Sequence, residues 1–420
     1  MGRSDETFKE NPAGVSSVLF YHATIIIHGK IKTYSTIDEC LLTFLDVFRT
    51  NRFDNTVSDT SSYLDLAPLY GSNLEDQLSV RSMQRGLLKP DSFAERRLLG
   101  QPPGVNVMLV MYSRFHNYVA DVLLKINENG RFTLPPTKTD EDKKKALAKQ
   151  DEDIFQTARL YGPFLSNMKL QMLTAKCSVT NGLYVNICLH DYLRGLTNSH
   201  HSASDWTLDP RVEVGRLFDP EGVPRGIGNQ VSAEFNLLYR FHSVISRRDE
   251  KWMNEFLQEL FPGNTKPLDQ LTPQEFIQGL LRFEHSIPTD PSQRTFGKLQ
   301  RDATGKFSDA ELVNIMKESM EDPAGLFGAR MVPKALRIIE ITGILTSRKW
   351  NLASLNEMRS FFGLKRHDSF EDINPDPQVA DVLRKLYDHP DMVEMYPGLF
   401  VEDAKPRMDP GKQIPRFLSR

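Results

Sequence analysis

A chain of 420 residues, 40% hydrophobic and 25% charged, has the balance of a globular protein and enough length for one large core or two smaller ones. Its formal net charge of −3 gives no electrostatic footprint for nucleic acid or an anionic membrane. No apolar run reaches the roughly 18 residues of a membrane span. The polar start MGRSDETFKENPAG lacks the apolar stretch of a secretory signal, and Glu6 breaks the myristoylation pattern. Three scattered cysteines, Cys40, Cys177 and Cys188, make neither a disulfide framework nor a zinc site. The default compartment is therefore reducing and intracellular, cytoplasmic or peripherally lipid-associated.

In chain order, VSSVLFYHATIIIH (15–28) is strongly apolar and reads as a buried helix or, on its β-branched content, a strand. Residues 104–127 predict a helix of about six turns, buried early and amphipathic late, started after Pro102-Pro103 and stopped at Asn129-Gly130. The charged, proline-containing stretch 133–150 reads as an exposed connection into a helix at about 151–160. SAEFNLLYRFHSVIS (232–246) predicts one continuous helix with Ser232 as its cap. TPQEFIQGLLRF (272–283) carries Thr272 as cap, Pro273 at the first helical position and Glu275 to complete a capping box. Further helices are expected at 308–320, 333–345, 354–362 and 378–388, and no convincing strand pair or internal repeat is present. The chain is mainly α, one domain.

Ten histidines invite metal readings, but no HExxH, HxH or HxxxH spacing occurs, and no GxSxG, Walker A or GxGxxG string either. His28, His116 and His242 stand singly on apolar helices, where a satisfied core histidine is commoner than a ligand. At EFNLLYRFHS (234–243), however, Tyr239 and His242 are three residues apart, one face of a helix. Such a pair could supply a haem iron ligand and a phenol that passes oxidising power to carbon. A haem enzyme also needs an acceptor for the ligand's other ring nitrogen and a distal base. Spacing alone leaves the core-helix and haem readings both open.

This segment resembles the animal-type haem peroxidase superfamily, and more closely the fungal fatty-acid dioxygenases of the linoleate diol synthase and psi-factor-producing oxygenase family. The resemblance implies a cyclooxygenase-like helical catalytic domain, haem b as cofactor, His242 as proximal iron ligand and Tyr239 as the hydrogen-abstracting radical. IIIH (25–28) falls where the family has its distal histidine, which implies that role for His28. SLNEMRSFFGL (354–364) is similar to the segment whose asparagine accepts a hydrogen bond from the proximal imidazole, which implies Asn356 as the partner of His242. TSSYLDLAPLYGSN (60–73) resembles the family's calcium loop. By position, Asp46, Ser61, Tyr63 (through its carbonyl) and Asp65 would give the oxygen ligands that calcium requires, while Ala67 stands where another should be. Arg114-Phe115-His116-Asn117 matches the superfamily's RxHN, and MYPGLFVED (395–403) its YPG segment. On the residues themselves, core packing is the better role for His116, and Arg114 could pair with a carboxylate instead of a haem propionate.

Two stretches depart from the family pattern. Removing 29–45 would restore IIIH-DVFRTN, and removing 161–178 would restore RLVTNGLY. We read both as translated introns, 17 and 18 codons long and in frame. Gly29-Lys30 can be encoded by a donor splice sequence, as can Gly411-Lys412 before the last residues. Genuine surface loops are the rival reading. The expected organisation is a dioxygenase domain over 1–410, N-terminally truncated against the family, with a non-family tail at 411–420. No cysteine after Cys188 could ligate the haem of a P450-like domain. The resemblance implies oxidation of a polyunsaturated fatty acid such as linoleate by O2 to a hydroperoxide, in oxylipin biosynthesis. The alternatives are a plain haem peroxidase acting on small donors and an inactive truncated fragment. Nucleic acid is not expected as a partner, and a homo-oligomer is left open.

Overall fold

In a computed structural model the described residues are 2–3, 7–12, 14–27, 65–159, 180–192, 233–263 and 266–403. Residues 29–45 and 161–178, which the sequence reading sets apart as insertions, residues 411–420 and His28 lie outside them. The ambiguous apolar segment near the start is a helix, α1 (Val18–Ile27), buried continuously from Phe20 to Ile25. Helices that are apolar all round belong inside a core, and burial there overrides the weak helix propensity of its β-branched residues.

Short α2 (Ala67–Tyr70) and α3 (Leu74–Val80) lead to α4 (Pro103–Ile126), the long central helix. Proline at its first position starts α4, and Asn127 in the left-handed conformation (φ 41°) stops it, two residues before the predicted asparagine–glycine pair. At Gly104 a Cβ would lie 2.1 Å from the Tyr21 ring, so glycine is what lets α1 and α4 touch.

The helix expected from about 151 begins earlier, as α5 (Asp140–Arg159). The charge run that read as a connection is itself helical. Thr139 Oγ1 accepts from the Asp142 N–H at 3.1 Å, and three acids occupy the first turn. Lys145–Glu141 and Lys149–Asp153 pair along the exposed face, while Ile154, Phe155 and Ala158 anchor the far end in the core.

After α6 (Thr180–Asn186), a π-helical turn runs through Ile187–Tyr192. Then come α7 (Ala233–Leu238), α8 (Arg247–Leu260), α9 (Pro273–Ser286), α10 (Asp309–Glu321), α11 (Arg337–Lys349), α12 (Leu355–Phe361), α13 (Phe370–Ile373), α14 (Pro377–Leu386) and α15 (Met395–Val401). The capping box at Thr272–Glu275 forms as expected, and a second one caps α12 through Ser354 and Glu357. Among the described residues the only β pairings are isolated bridges. The mainly α class predicted from the sequence is the observed one.

The main core surrounds α4, with α1, α2, α5, α6 and α10 packed on it. A second cluster joins α12 to α15 and reaches Leu237 on α7. A small third contact, Ala23, Ile27, Tyr192 and Tyr239, ties α1 to the end of α7. These two attachments fix where the residues after α7 sit.

Candidate active site

The continuous helix expected over 232–246 is broken at its functional part. Helix α7 ends at Leu238, and the N–H groups of Tyr239 and Arg240 still reach back to Phe235 O and Leu237 O (3.2 Å each). Those of Phe241 and His242 reach back only two residues (to Tyr239 O, 3.1 Å, and Arg240 O, 2.8 Å), and His242–Val244 form a single 3-10 turn. The carbonyls that would have continued the helix are taken from outside. Buried Arg3 donates to Ser243 O at 2.9 Å and Ile245 O at 2.5 Å, and the Gly325 N–H donates to Val244 O at 2.9 Å. Tertiary partners thus outbid the helical ladder, satisfying backbone groups that must be paired once buried. Arg3 is itself neutralised by Glu250 at 2.9 Å. The adjacency of Tyr239 and His242 therefore comes from a compact turn and not from one helix face.

Tyr239 is buried between Phe235 and Phe241, each ring 4.9 Å away, and its hydroxyl donates to the Tyr192 oxygen at 2.8 Å. Burial pushes the Tyr239 phenol above its ordinary range, only partly offset by the bond to Tyr192. The group is therefore neutral at physiological pH and can give up a hydrogen atom, but not a proton alone.

His242 Nδ1 lies 2.5 Å from Glu340 Oε1 on α11. The other carboxylate oxygen, Oε2, accepts the Tyr396 hydroxyl at 3.0 Å. This corrects the sequence expectation for the imidazole's partner. Asn356 is buried on α12 and spent elsewhere: its Nδ2 donates to His367 O (3.0 Å) and Asp391 Oδ1 (2.6 Å), and its Oδ1 accepts the His367 N–H (2.8 Å). It pins the α12–α13 loop. Glu340 was legible as a lone carboxylate within the apolar run LRIIEITGIL, but it was not singled out.

Tyr239 and His242 line one cavity of about 130 Å³, walled on the α1 side by Phe20, Thr24 and Ile27. His28, the next residue in sequence after α1, lies outside the described residues, as do Asp46, Ser61 and Tyr63. Of the calcium set only Asp65 is described, and its Oδ1 accepts the Ala67 N–H at 3.1 Å. His116 is a satisfied core histidine, with Nδ1 2.8 Å from the Tyr70 hydroxyl and Nε2 2.9 Å from Gly86 O. Arg114 forks onto Asp91 (2.7 Å to each oxygen) and also pairs with Asp309, so it is engaged by carboxylates. His22 on α1 was missed in the sequence. It is buried beside Tyr184 and Tyr192, with Nε2 3.3 Å from Cys188 Sγ.

Comparison with known proteins places the chain in a family. Residues 175–419 match the animal haem peroxidase family. Psi-producing oxygenase A of Aspergillus fumigatus is 48% identical over 407 residues, covering 97% of this chain and 34% of that protein. The 7,8-linoleate diol synthase of Pyricularia oryzae is 47% identical over 414 residues, covering 99% and 32%. The chain thus spans about a third of the length of these curated relatives. In structure it is similar to the fatty acid alpha-dioxygenase of Oryza sativa, with a TM-score of 0.55 at 14% identity, over 100% of this chain and 69% of that one. The family match, which takes in Tyr239 and His242, carries the conclusion that the chain belongs to the animal haem peroxidase family.

Proposed function

We propose that this chain is the haem-dependent dioxygenase module of a fatty-acid oxygenase, converting a linoleate-type polyunsaturated fatty acid and O2 to a hydroperoxide. The observation that carries the reading is one cavity bordered both by a phenol in a hydrogen-bonded tyrosine pair and by an imidazole held through Nδ1. The family implies haem binding, and the donor set fits haem b. A carboxylate on Nδ1 orients the His242 ring, raises its basicity and leaves Nε2 for iron.

Bound haem would supply the one-electron oxidant. Tyr239 gives up its hydroxyl hydrogen and holds the resulting radical in a water-poor pocket beside α1. It recovers a hydrogen atom from an allylic or bis-allylic carbon of the substrate, and that carbon then adds O2. The resulting peroxyl radical takes the hydroxyl hydrogen back from Tyr239, which yields the hydroperoxide and restores the tyrosyl radical. Tyr192 fixes the direction of the phenol, while Glu340 and Tyr396 keep the imidazole in place. His28 is assigned the distal base, and calcium on Asp46, Ser61, Tyr63 and Asp65 belongs to the same reading.

The test is Tyr239→Phe in the haem-loaded protein. Linoleate-dependent oxygen uptake is expected to vanish while the Soret band is kept; an unchanged uptake rate refutes the radical role. Product analysis without added peroxide donor separates this from a peroxidase acting on small donors, where Tyr239 would be incidental.

A further inference from the structure

Beyond Tyr192 the buried tyrosine pair continues into groups that the proposed reaction does not use. The π-helical turn after α6 carries Cys188 and Tyr192 four residues apart, and such widened turns recur at functional sites. His22 of α1 lies against both. Its ring centroid is 5.2 Å from that of Tyr192, its Nε2 is 3.3 Å from Cys188 Sγ, and its Nδ1 has no hydrogen-bond partner among the described residues. Cys188 is in turn hydrogen-bonded to Tyr184, whose ring sits 5.6 Å edge-on from Tyr112 of α4. All of these side chains are more than nine-tenths buried. The result is one contiguous line of oxidisable groups leading away from Tyr239.

Burial raises the Cys188 thiol to about 12 and lowers His22 to about 4. At neutral pH the sulfur is therefore S–H, a poor nucleophile, and the imidazole beside it is a neutral base. Thiolate chemistry is suppressed, whereas loss of a hydrogen atom costs no buried charge. That is the form a radical acceptor site needs.

We propose that Cys188 is a one-electron sink for Tyr239, reached through Tyr192 and assisted by His22. The proposal rests on the radical role of Tyr239 stated above. The oxidant is the Tyr239 phenoxyl formed when a hydroperoxide turns over without fatty acid in the site. First the Tyr192 hydrogen moves along the 2.8 Å bond, so one O–H bond breaks on Tyr192 and one forms on Tyr239. One electron then passes from Cys188 to Tyr192, and the thiol proton goes to His22 Nε2 at 3.3 Å. The His22 Nδ1 proton, which no standing hydrogen bond holds among the described residues, is released to the Tyr192 oxygen as the two rings, 5.2 Å apart between centroids, close on each other. Net, the S–H bond breaks and the Tyr239 O–H bond is restored, leaving Tyr239 reduced and a thiyl radical on Cys188. Unspent oxidising equivalents thereby leave the pocket before they damage it.

The experiment uses haem-loaded protein given a linoleate hydroperoxide but no linoleate, with freeze-quench EPR and trapping by the nitrone DMPO, mapped by peptide mass spectrometry. In the unmodified protein a DMPO adduct is expected on the Cys188 peptide. Cys188→Ala and the closer-packed Cys188→Val should both lengthen the tyrosyl signal several-fold. Tyr192→Phe should abolish the adduct at Cys188 while a Tyr239 signal persists. Unaltered decay in both Cys188 variants, with no adduct at Cys188 in the parent, overturns the sink while leaving the Tyr239 reading intact. A tyrosyl signal that survives in Tyr239→Phe overturns the functional reading instead. Circular dichroism of each variant separates these outcomes from loss of fold, and a packing role alone would not move the radical lifetime.

Discussion

Replacing Glu340 by alanine removes an acceptor that serves two donors, the His242 ring at 2.5 Å and the Tyr396 hydroxyl at 3.0 Å. Both Glu340 and His242 are largely screened from water, their side chains 23% and 16% exposed. A hydrogen bond to a charged group in such a setting contributes roughly 1.5–3 kcal/mol. Loss of the partner behind a metal-binding imidazole typically lowers metal affinity or activity about 10–100-fold. Glu340→Ala is therefore expected to weaken haem binding by that factor, read as the midpoint of a Soret titration, with Glu340→Gln between it and the parent. The decisive comparison is Asn356→Ala. Its side chain touches neither His242 nor the cavity, and its loss strands the buried N–H and C=O of His367, costing about 2–4 kcal/mol of fold stability. It should lower the melting temperature and leave haem affinity of the folded fraction unchanged. A folded Asn356→Ala protein that binds haem as poorly as Glu340→Ala would refute the assignment of the acceptor to Glu340.

Three further outcomes follow from the packing. Arg3→Ala leaves Glu250 buried without its cation and frees two carbonyls of the His242 turn, so a loss of about 3–5 kcal/mol is expected in urea denaturation. Gly104→Ala pushes a methyl into the Tyr21 ring and should cost about 1–3 kcal/mol by the same measurement, because α1 must shift from α4. Burial raises the carboxyl of Asp249 to about 7, with the Tyr21 hydroxyl donating to it at 2.8 Å. A folded-state pKa above the unfolded one stabilises at low pH, and that contribution is lost as pH rises from about 4 through about 7. The parent's melting temperature is therefore expected to fall between pH 5 and pH 8, and Asp249→Asn should flatten that fall; an identical slope contradicts the burial argument.

Local signals in this sequence were legible wherever the structure satisfies them locally. The Thr272 capping box, the proline start of α4 and the helix expected at 378–388, observed as α14, depend on residues within a turn or two, and each forms close to where it is expected. The helix predicted over 232–246 failed because Arg3 and Gly325, distant in sequence, claim its carbonyls. The start of α5 was misplaced because a polar helix on the surface shares its composition with a loop. At the site, Tyr239 and His242 stood out through a resemblance, while their partners Tyr192, Glu340 and Tyr396 did not. These partners come from three separate helical segments, and only the fold brings them within hydrogen-bond distance. Asn356 illustrates the opposite hazard, since its motif matched but its side chain is committed to the loop around His367.

The bracing of the His242 turn by Arg3 and Gly325 also bears on how the protein is made. Arg3 meets Ser243 across 240 positions of sequence, and Glu340 meets His242 across 98. Contacts of such separation form only after their intervening loops have closed, and they slow folding more than they cost stability. The helices around α4 can assemble from nearer neighbours, so the cavity floor is expected to be among the last regions to gain protection in pulse-labelled hydrogen exchange. On a ribosome, residue 3 would wait unpaired until Glu250 and the turn before it have emerged. Early protection at His242–Ile245 would show that the turn forms without its distant braces.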